Sequence, residues 1–241
     1  ARWYPDPAVE VPPFLSFGSW MGGDRDGNPF VTADVTRHTL HRLREEAIDR
    51  HLEWCDRLHD LLTLSADLAP GARPLASRLA ALEPALPGLA AAIEAIDPRE
   101  VHRRFLRMIR LRLAASREVR LDEAAIPPAA YREQGEFLAD VEALVAALAA
   151  DGLLPGDSPP RRWLHLARTF GLQASRLDVR QDARAYEGIL DDLLAAAGIA
   201  AAGEYRGADE GARVAILVRS LGGPGPLEEE GLDPLALDTL R

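Results

Sequence analysis

Apolar side chains recur every three or four residues through most of this chain, and that spacing places one stripe on one face of a helix. Thr32 stands as an N-cap before the longest such run, to about Leu64, with Val35, Leu40, Leu43, Ala47, Ile48, Leu52, Cys55, Leu58 and Leu62 in the rhythm. Pro70, Gly71 and Pro74 break it. Residues 75–98 are alanine-rich and interrupted by Pro84, Pro87 and Pro98, which predicts short helices and turns. Pro98 opens a helix to about Val119, striped by Val101, Phe105, Met108, Ile109 and Leu113. After Pro127-Pro128, the positions Phe137, Val141, Leu144, Val145 and Leu148 predict another, closed by Gly152. Asp157 or Ser158 caps the next, which carries Pro159-Pro160 in its first turn and Trp163, Leu164, Ala167 and Phe170 on its stripe, and stops at Gly171. Two further helices are expected at about Ala183–Ala197 and Asp209–Leu221, and residues 224–234 read as a loop.

Two stretches leave this pattern. Phe14–Trp20 is short, aromatic and bounded by Pro12-Pro13 and Gly22-Gly23, so it reads as a brief buried strand. Leu172–Arg180 is the second strand expected. The fold class is therefore mainly α, helices with a few short strands, and isolated strands require sheet partners. Along the second strand Arg176, Asp178 and Arg180 share one face while Leu177 and Val179 share the other. A strand that buries Leu and Val outward and points Arg-Asp-Arg inward suits a barrel lining. Asp178 is placed to hold both guanidinium groups and leave one fork free for an anion. A solvent-facing edge strand with a routine ion pair fits the same alternation.

Phe17–Thr32, FGSWMGGDRDGNPFVT, combines backbone freedom with charge. Gly22, Gly23 and Gly27 admit positive φ and close approach, and Asp24 and Asp26 flank Arg25. Loops between a strand and a helix carry chemistry in barrel and open-sheet enzymes, although a structural turn whose aspartates cap the next helix has the same look. Two metal readings fail on spacing. Asp24, Asp26 and Asn28 match the first three ligands of a calcium loop, but Pro29 replaces the glycine and Val35 the final glutamate. His51, Cys55 and His59 share a helical face, yet the outer pair lie roughly 12 Å apart along the axis. No phosphate-loop, nucleophile-elbow or dinucleotide fingerprint is present.

Composition narrows the partners. The net charge of −10 argues against a general nucleic-acid binder. Every basic side chain outside the histidines is arginine, which suits bidentate binding of phosphate or carboxylate. The single cysteine, Cys55, rules out an internal disulfide and fits a reducing, intracellular setting; no apolar run is long enough to cross a membrane. Ala1 and the closing LALDTLR both read as cuts through a longer chain.

FGSWMGGDRDGNPFVTADVTRHTL closely resembles one signature of the phosphoenolpyruvate carboxylases, GSWMGGDRDGNPxVT, and FGLQASRLDVRQDA is similar to their second, FGL-x-L-x-R-L-D-I-R-Q-E-S. The intervening HRRFLRMIRLRL helix and the order of the motifs fit as well. The resemblance implies a helical enzyme wrapped around an eight-stranded (β/α)8 barrel, usually a cytoplasmic homotetramer. That enzyme adds bicarbonate to phosphoenolpyruvate with Mg2+ or Mn2+ and yields oxaloacetate and phosphate. It casts Arg180 as the arginine gripping the substrate phosphate, Arg176 as a second candidate and Asp178 as their orienter. Trp20, Met21, Gly22, Gly23, Asp24, Arg25, Asp26 and Asn28 become the wall of the carboxylation pocket. Barrel strands are expected near 14–21 and 172–180. The family's catalytic histidine, lysine and Phe-His-Gly-Arg-Gly-Gly loop, and its metal-binding Glu and Asp, lie outside the matching residues. The expectation is a central piece with no catalytic or metal residue of its own, inactive alone and prone to self-association through bared apolar surface. The alternative is a non-catalytic helical module that binds an anionic metabolite or a partner.

Overall fold

The three-and-four rhythm becomes helix wherever it was clean. The computed structural model describes residues 12–120 and 125–221. The predicted helices appear as α1 (Ala33–His59), α2 (Ala72–Leu82), α3 (Leu89–Ile93), α4 (Val101–Arg117), α5 (Gln134–Ala150), α6 (Pro159–Phe170), α7 (Ala183–Ala196) and α9 (Glu210–Ser220). A short α8 (Glu204–Gly207) lies before α9 and has no apolar rhythm to announce it. The Thr32 hydroxyl accepts from the Val35 N–H at 3.4 Å, the capping role its place in the sequence suggests. Among the described residues the strands are β1 (Gly18–Ser19) and β2 (Arg176–Leu177). The chain divides into two compact units, Ala1–Phe17 with His41–Arg176, and Gly18–Leu40 with Leu177–Arg241.

In the first unit α4 is the hub, packed against α2, α3 and α5, while α5 also meets α6. Its stripe of Phe105, Met108, Ile109 and Leu113 is fully enclosed. These side chains join Ile48, Leu58, Phe137, Val141, Leu144 and Trp163 in one cluster, each contributing roughly 1.5–3 kcal/mol by leaving water. A polar knot runs through it. The Asp140 carboxylate, with no exposed surface, accepts from Arg112 at 3.0 Å, from the Tyr131 hydroxyl at 3.0 Å, and from Arg78. Arg112 also donates to Glu136 at 2.6 Å and lies 3.9 Å over the Tyr131 ring. Burial pushes the Tyr131 hydroxyl well up from its ordinary pKa, with the Asp140 charge adding to the shift, so the group stays a donor.

His51, read at first as part of a helical His-Cys-His face, is an internal pin. The Trp163 indole N–H donates to its Nδ1 at 3.1 Å. An indole nitrogen only donates, so Nε2 carries the imidazole proton and donates to the Gly171 carbonyl at 2.7 Å. Burial lowers the His51 pKa against the opposing effect of that carbonyl. Cys55 lies in the core and its thiol is pushed up well beyond the ordinary range by burial.

The second unit has a smaller core of Leu194, Tyr205 and Ile216 from α7, α8 and α9. The Asp191 carboxylate accepts from the Gly203 N–H at 2.6 Å and the Arg206 N–H at 3.1 Å, tying α8 back to α7. Asp209 caps α9 through the Ala212 N–H at 2.9 Å.

The strands depart most from expectation. The predicted strand at Phe14–Trp20 contracts to Gly18–Ser19, and Phe14, Leu15, Phe17 and Trp20 are exposed rather than buried. The stretch at Leu172–Arg180 contracts to Arg176–Leu177, and Val179 is exposed. Apolar strand faces need a covering layer to bury them, and a two-stranded sheet is too narrow to supply one. Val35 and Leu40 likewise lie on an exposed part of α1. Gly222-Gly223 and residues 224–234 lie outside the described residues.

Candidate functional site

The glycine-rich loop is built by backbone contacts that only glycine permits at two positions. Gly22 adopts φ +80°, and a Cβ there would stand 2.1 Å from the Thr39 hydroxyl on α1. A Cβ on Gly23 would stand 2.4 Å from the Asp178 carbonyl oxygen. The N–H groups of Gly23 and Asp24 both donate to the Trp20 carbonyl, at 2.9 and 3.0 Å, which folds the loop sharply after β1. Two further bonds lock it to the segment after β2. The Arg180 N–H donates to the Gly23 carbonyl at 2.9 Å, and the Arg25 N–H donates to the Arg180 carbonyl at 2.8 Å. They form a parallel bridge between Asp24 and Arg180. The Asp178 N–H donates to the Ser19 carbonyl at 2.8 Å and extends the pairing toward β1.

Side chains complete the assembly. Arg25 points inward, not into a pocket. It is buried, and its guanidinium donates to the Thr36 hydroxyl at 3.1 Å. That hydroxyl donates onward to the Gly22 carbonyl at 2.8 Å. Asp24 and Asp26 turn outward to Arg180, whose terminal nitrogens lie 3.6 Å from the first and 3.3 Å from the second. The carboxylates that Arg180 meets are therefore Asp24 and Asp26, whereas Asp178 was expected to orient both Arg180 and Arg176. Asp178 lines a depression of about 390 Å³ with Gly18, Ser19, Trp20 and Met21. Arg176 falls in the first unit, and its guanidinium makes no ion pair among the described residues. Asn28 folds its own turn, accepting from the Phe30 N–H at 3.1 Å.

Of the residues singled out in the sequence, Trp20, Met21, Gly22, Gly23, Asp24, Arg25, Asp26, Asn28, Asp178 and Arg180 thus belong to one unit. Thr36 and Thr39 escaped notice. Their spacing from Thr32 puts all three on one side of the first turns of α1, a signal that was legible in TADVTRHT. Arg180 remains about half-exposed, with an Nε–H that neither aspartate takes, so the loop presents a cation held by backbone on both sides. The same carboxylates make a poor metal site because a guanidinium already engages them. Among the described residues no group of three or more His, Cys, Asp or Glu side chains gathers to hold a metal ion.

Comparison with known proteins decides what family this loop marks. The phosphoenolpyruvate carboxylase family model matches residues 1–239. The chain belongs to the phosphoenolpyruvate carboxylase family. It is 39% identical over 238 residues to a phosphoenolpyruvate carboxylase of Nocardia farcinica, covering 94% of this chain and 24% of that protein. The chain is also similar to the phosphoenolpyruvate carboxylases of Roseiflexus castenholzii (33% identical, 95% of this chain, 25% of that protein) and Chromobacterium violaceum (36%, 90% and 23%). The chain therefore spans about a quarter of the length of the curated relatives it matches. No helix among the described residues is long and apolar enough to cross a membrane.

Proposed function

We propose that this chain forms part of a phosphoenolpyruvate carboxylase and supplies the arginine that grips the substrate phosphate. The observation that carries the reading is Arg180. It is pinned at its N–H and C=O to the signature loop and steadied by Asp24 and Asp26, and it keeps donors open to solvent. Anchoring of this kind fixes a cation before the anion arrives, which reduces the ordering cost of binding. Asp178, Trp20 and Met21 form the wall beside it.

The reaction proposed adds bicarbonate to phosphoenolpyruvate. The phosphoryl group leaves the enol oxygen for a bicarbonate oxygen, giving carboxyphosphate and the enolate of pyruvate. The enolate carbon then takes the carboxyl group as the bond to phosphate breaks, so oxaloacetate and inorganic phosphate result. Arg180 neutralises charge on the phosphoryl oxygens through both steps, by charge-assisted hydrogen bonds aimed before the reaction begins. The Mg2+ or Mn2+ implied by the family is assigned to residues outside this chain, as are the proton-handling groups, so the chain by itself is proposed to be inactive. The barrel, the tetramer and a cytoplasmic setting belong to the same reading.

The test is Arg180→Gln in the full-length carboxylase that contains these residues. Removing one charge-assisted grip on a phosphoryl group is expected to lower kcat/KM by roughly 10²-fold or more. A variant with the parent KM and turnover would overturn the assignment.

A further inference from the structure

Arg176, grouped with Arg180 by the alternation of the strand, lines a different depression. A groove of about 430 Å³ in the first unit runs between residues 13–17, the end of α6 and the approach to β2. Arg168 and Arg176 both line it, along with the side chains of Gln134 and Gln173. The Phe17 and Phe170 rings, stacked with centroids 5.2 Å apart, form an aromatic part of the lining. No aspartate or glutamate is among the described lining residues. Arg168 donates to Glu142 at 3.1 and 2.8 Å, whereas the Arg176 backbone N–H donates to the Phe17 carbonyl at 2.8 Å and its guanidinium has no ion pair among the described residues.

From this lining we infer that the groove binds a ring-bearing monophosphate about the size of a nucleoside monophosphate. The volume falls within the range of small-molecule sites, and the lining is mainly polar with one aromatic patch, which suits a ligand that is itself part charged and part ring. Arg176 would take the phosphate, since its guanidinium is uncommitted among the described residues and suits two phosphate oxygens at once. The rings of Phe17 and Phe170 supply the flat apolar surface for the ligand's own ring. The amides of Gln134 and Gln173 offer both donors and acceptors to a heterocycle edge. Inorganic phosphate would use only one part of such a site, and an uncharged nucleoside only the other. Apart from Phe17, where the signature stretch begins, none of the groove's lining residues belongs to the loop that holds Arg180, so the inference stands apart from the phosphoenolpyruvate reading.

Adenosine 5′-monophosphate is the probe, titrated calorimetrically into this chain, with adenosine and inorganic phosphate as its two halves. Binding is expected at about 1 mM or tighter, with each half at least tenfold weaker. Arg176→Gln, on an exposed side chain and checked for unchanged circular dichroism, should weaken the monophosphate about tenfold, while Arg180→Gln should leave it unaltered. Phe170 ring resonances should shift on titration. No binding up to about 10 mM, equal binding of adenosine, equal binding of phosphate, or an unaffected Arg176→Gln would each overturn the proposal. Loss of binding in Arg180→Gln would overturn it too and assign the phosphate to the other arginine.

Discussion

Asp140→Asn removes one charge from the centre of the first unit and should be among the most damaging single-atom changes available there. In the parent, one carboxylate oxygen receives Arg78, and the other receives Arg112 at 3.0 Å and Tyr131 at 3.0 Å. An asparagine keeps one acceptor and turns its amide hydrogens toward donors on the other side. In either orientation a guanidinium faces the NH2 group: Arg78, or Arg112, which is nine-tenths buried and would keep only Glu136, whose side chain is a third exposed. Removing one partner of a buried ion pair costs about 3–5 kcal/mol, and the surviving Glu136 contact places this case near the lower end. Such a loss is a large share of the stability of an ordinary domain. With a urea slope of ~2 kcal/mol/M, a loss of 3 kcal/mol shifts the midpoint down by about 1.5 M. The assay is urea unfolding followed by the fluorescence of Trp163, which lies in the same core. Asp140→Leu combined with Arg112→Met and Tyr131→Phe removes every buried member of the knot and should restore the stability to within about 1 kcal/mol of the parent, a midpoint within about 0.5 M. An Asp140→Asn midpoint displaced by less than ~0.5 M would refute the view that the knot is a tightly coupled charge network.

Two further perturbations probe the pin and the loop. His51 is held neutral by burial, so its folded pKa lies below the unfolded value of about 6.5. Its contribution is complete above that pH and is lost as the pH falls from about 6.5 toward the depressed folded value, at up to ~1.4 kcal/mol per pH unit. His102 is lowered for the same reason, burial, against the pull of Asp151, and adds a slope of the same sign. His51→Gln should flatten the stability profile between about pH 6.5 and 5, and an undiminished slope would show that His51 does not titrate on unfolding. Gly23→Ala forces a methyl group against the Asp178 carbonyl and is expected to cost about 2 kcal/mol locally. Hydrogen exchange at the Arg180 and Arg25 amides should accelerate at least tenfold, whereas Gly135→Ala, with nothing nearer than a flexible side chain at 3.7 Å, should leave it alone. Unchanged exchange in Gly23→Ala would mean the loop does not depend on that close approach.

Helices were legible because their information is local. The stripe of α4 could be named residue by residue, and Thr32 announced its cap, since spacing and capping chemistry act within a few positions. The strands were legible only as extended, apolar segments. Phe14, Leu15 and Val179 point to a covering layer, and whether such a layer exists is not information held within their own few residues. Alternation put Arg176, Asp178 and Arg180 on one face and made Asp178 the natural partner, whereas Arg180 pairs with Asp26, 154 positions away in sequence. Strand period fixes which way a side chain points, but the nearest opposite charge is set by the pairing of distant segments.

That difference explains why the signature loop is so dense in chemistry without being a site by itself. Gly22 makes room for Thr39, Gly23 makes room for the Asp178 carbonyl, and Arg25 fastens the inner side to Thr36. Asp24 and Asp26 are left on the outer side, where they meet Arg180. Each position is therefore constrained by a different neighbour, and few substitutions satisfy all of them together. A loop tuned this closely to its surroundings is recognisable as a motif long before its purpose is. Laid beside the second stretch, the motif is the mount for an arginine it does not contain.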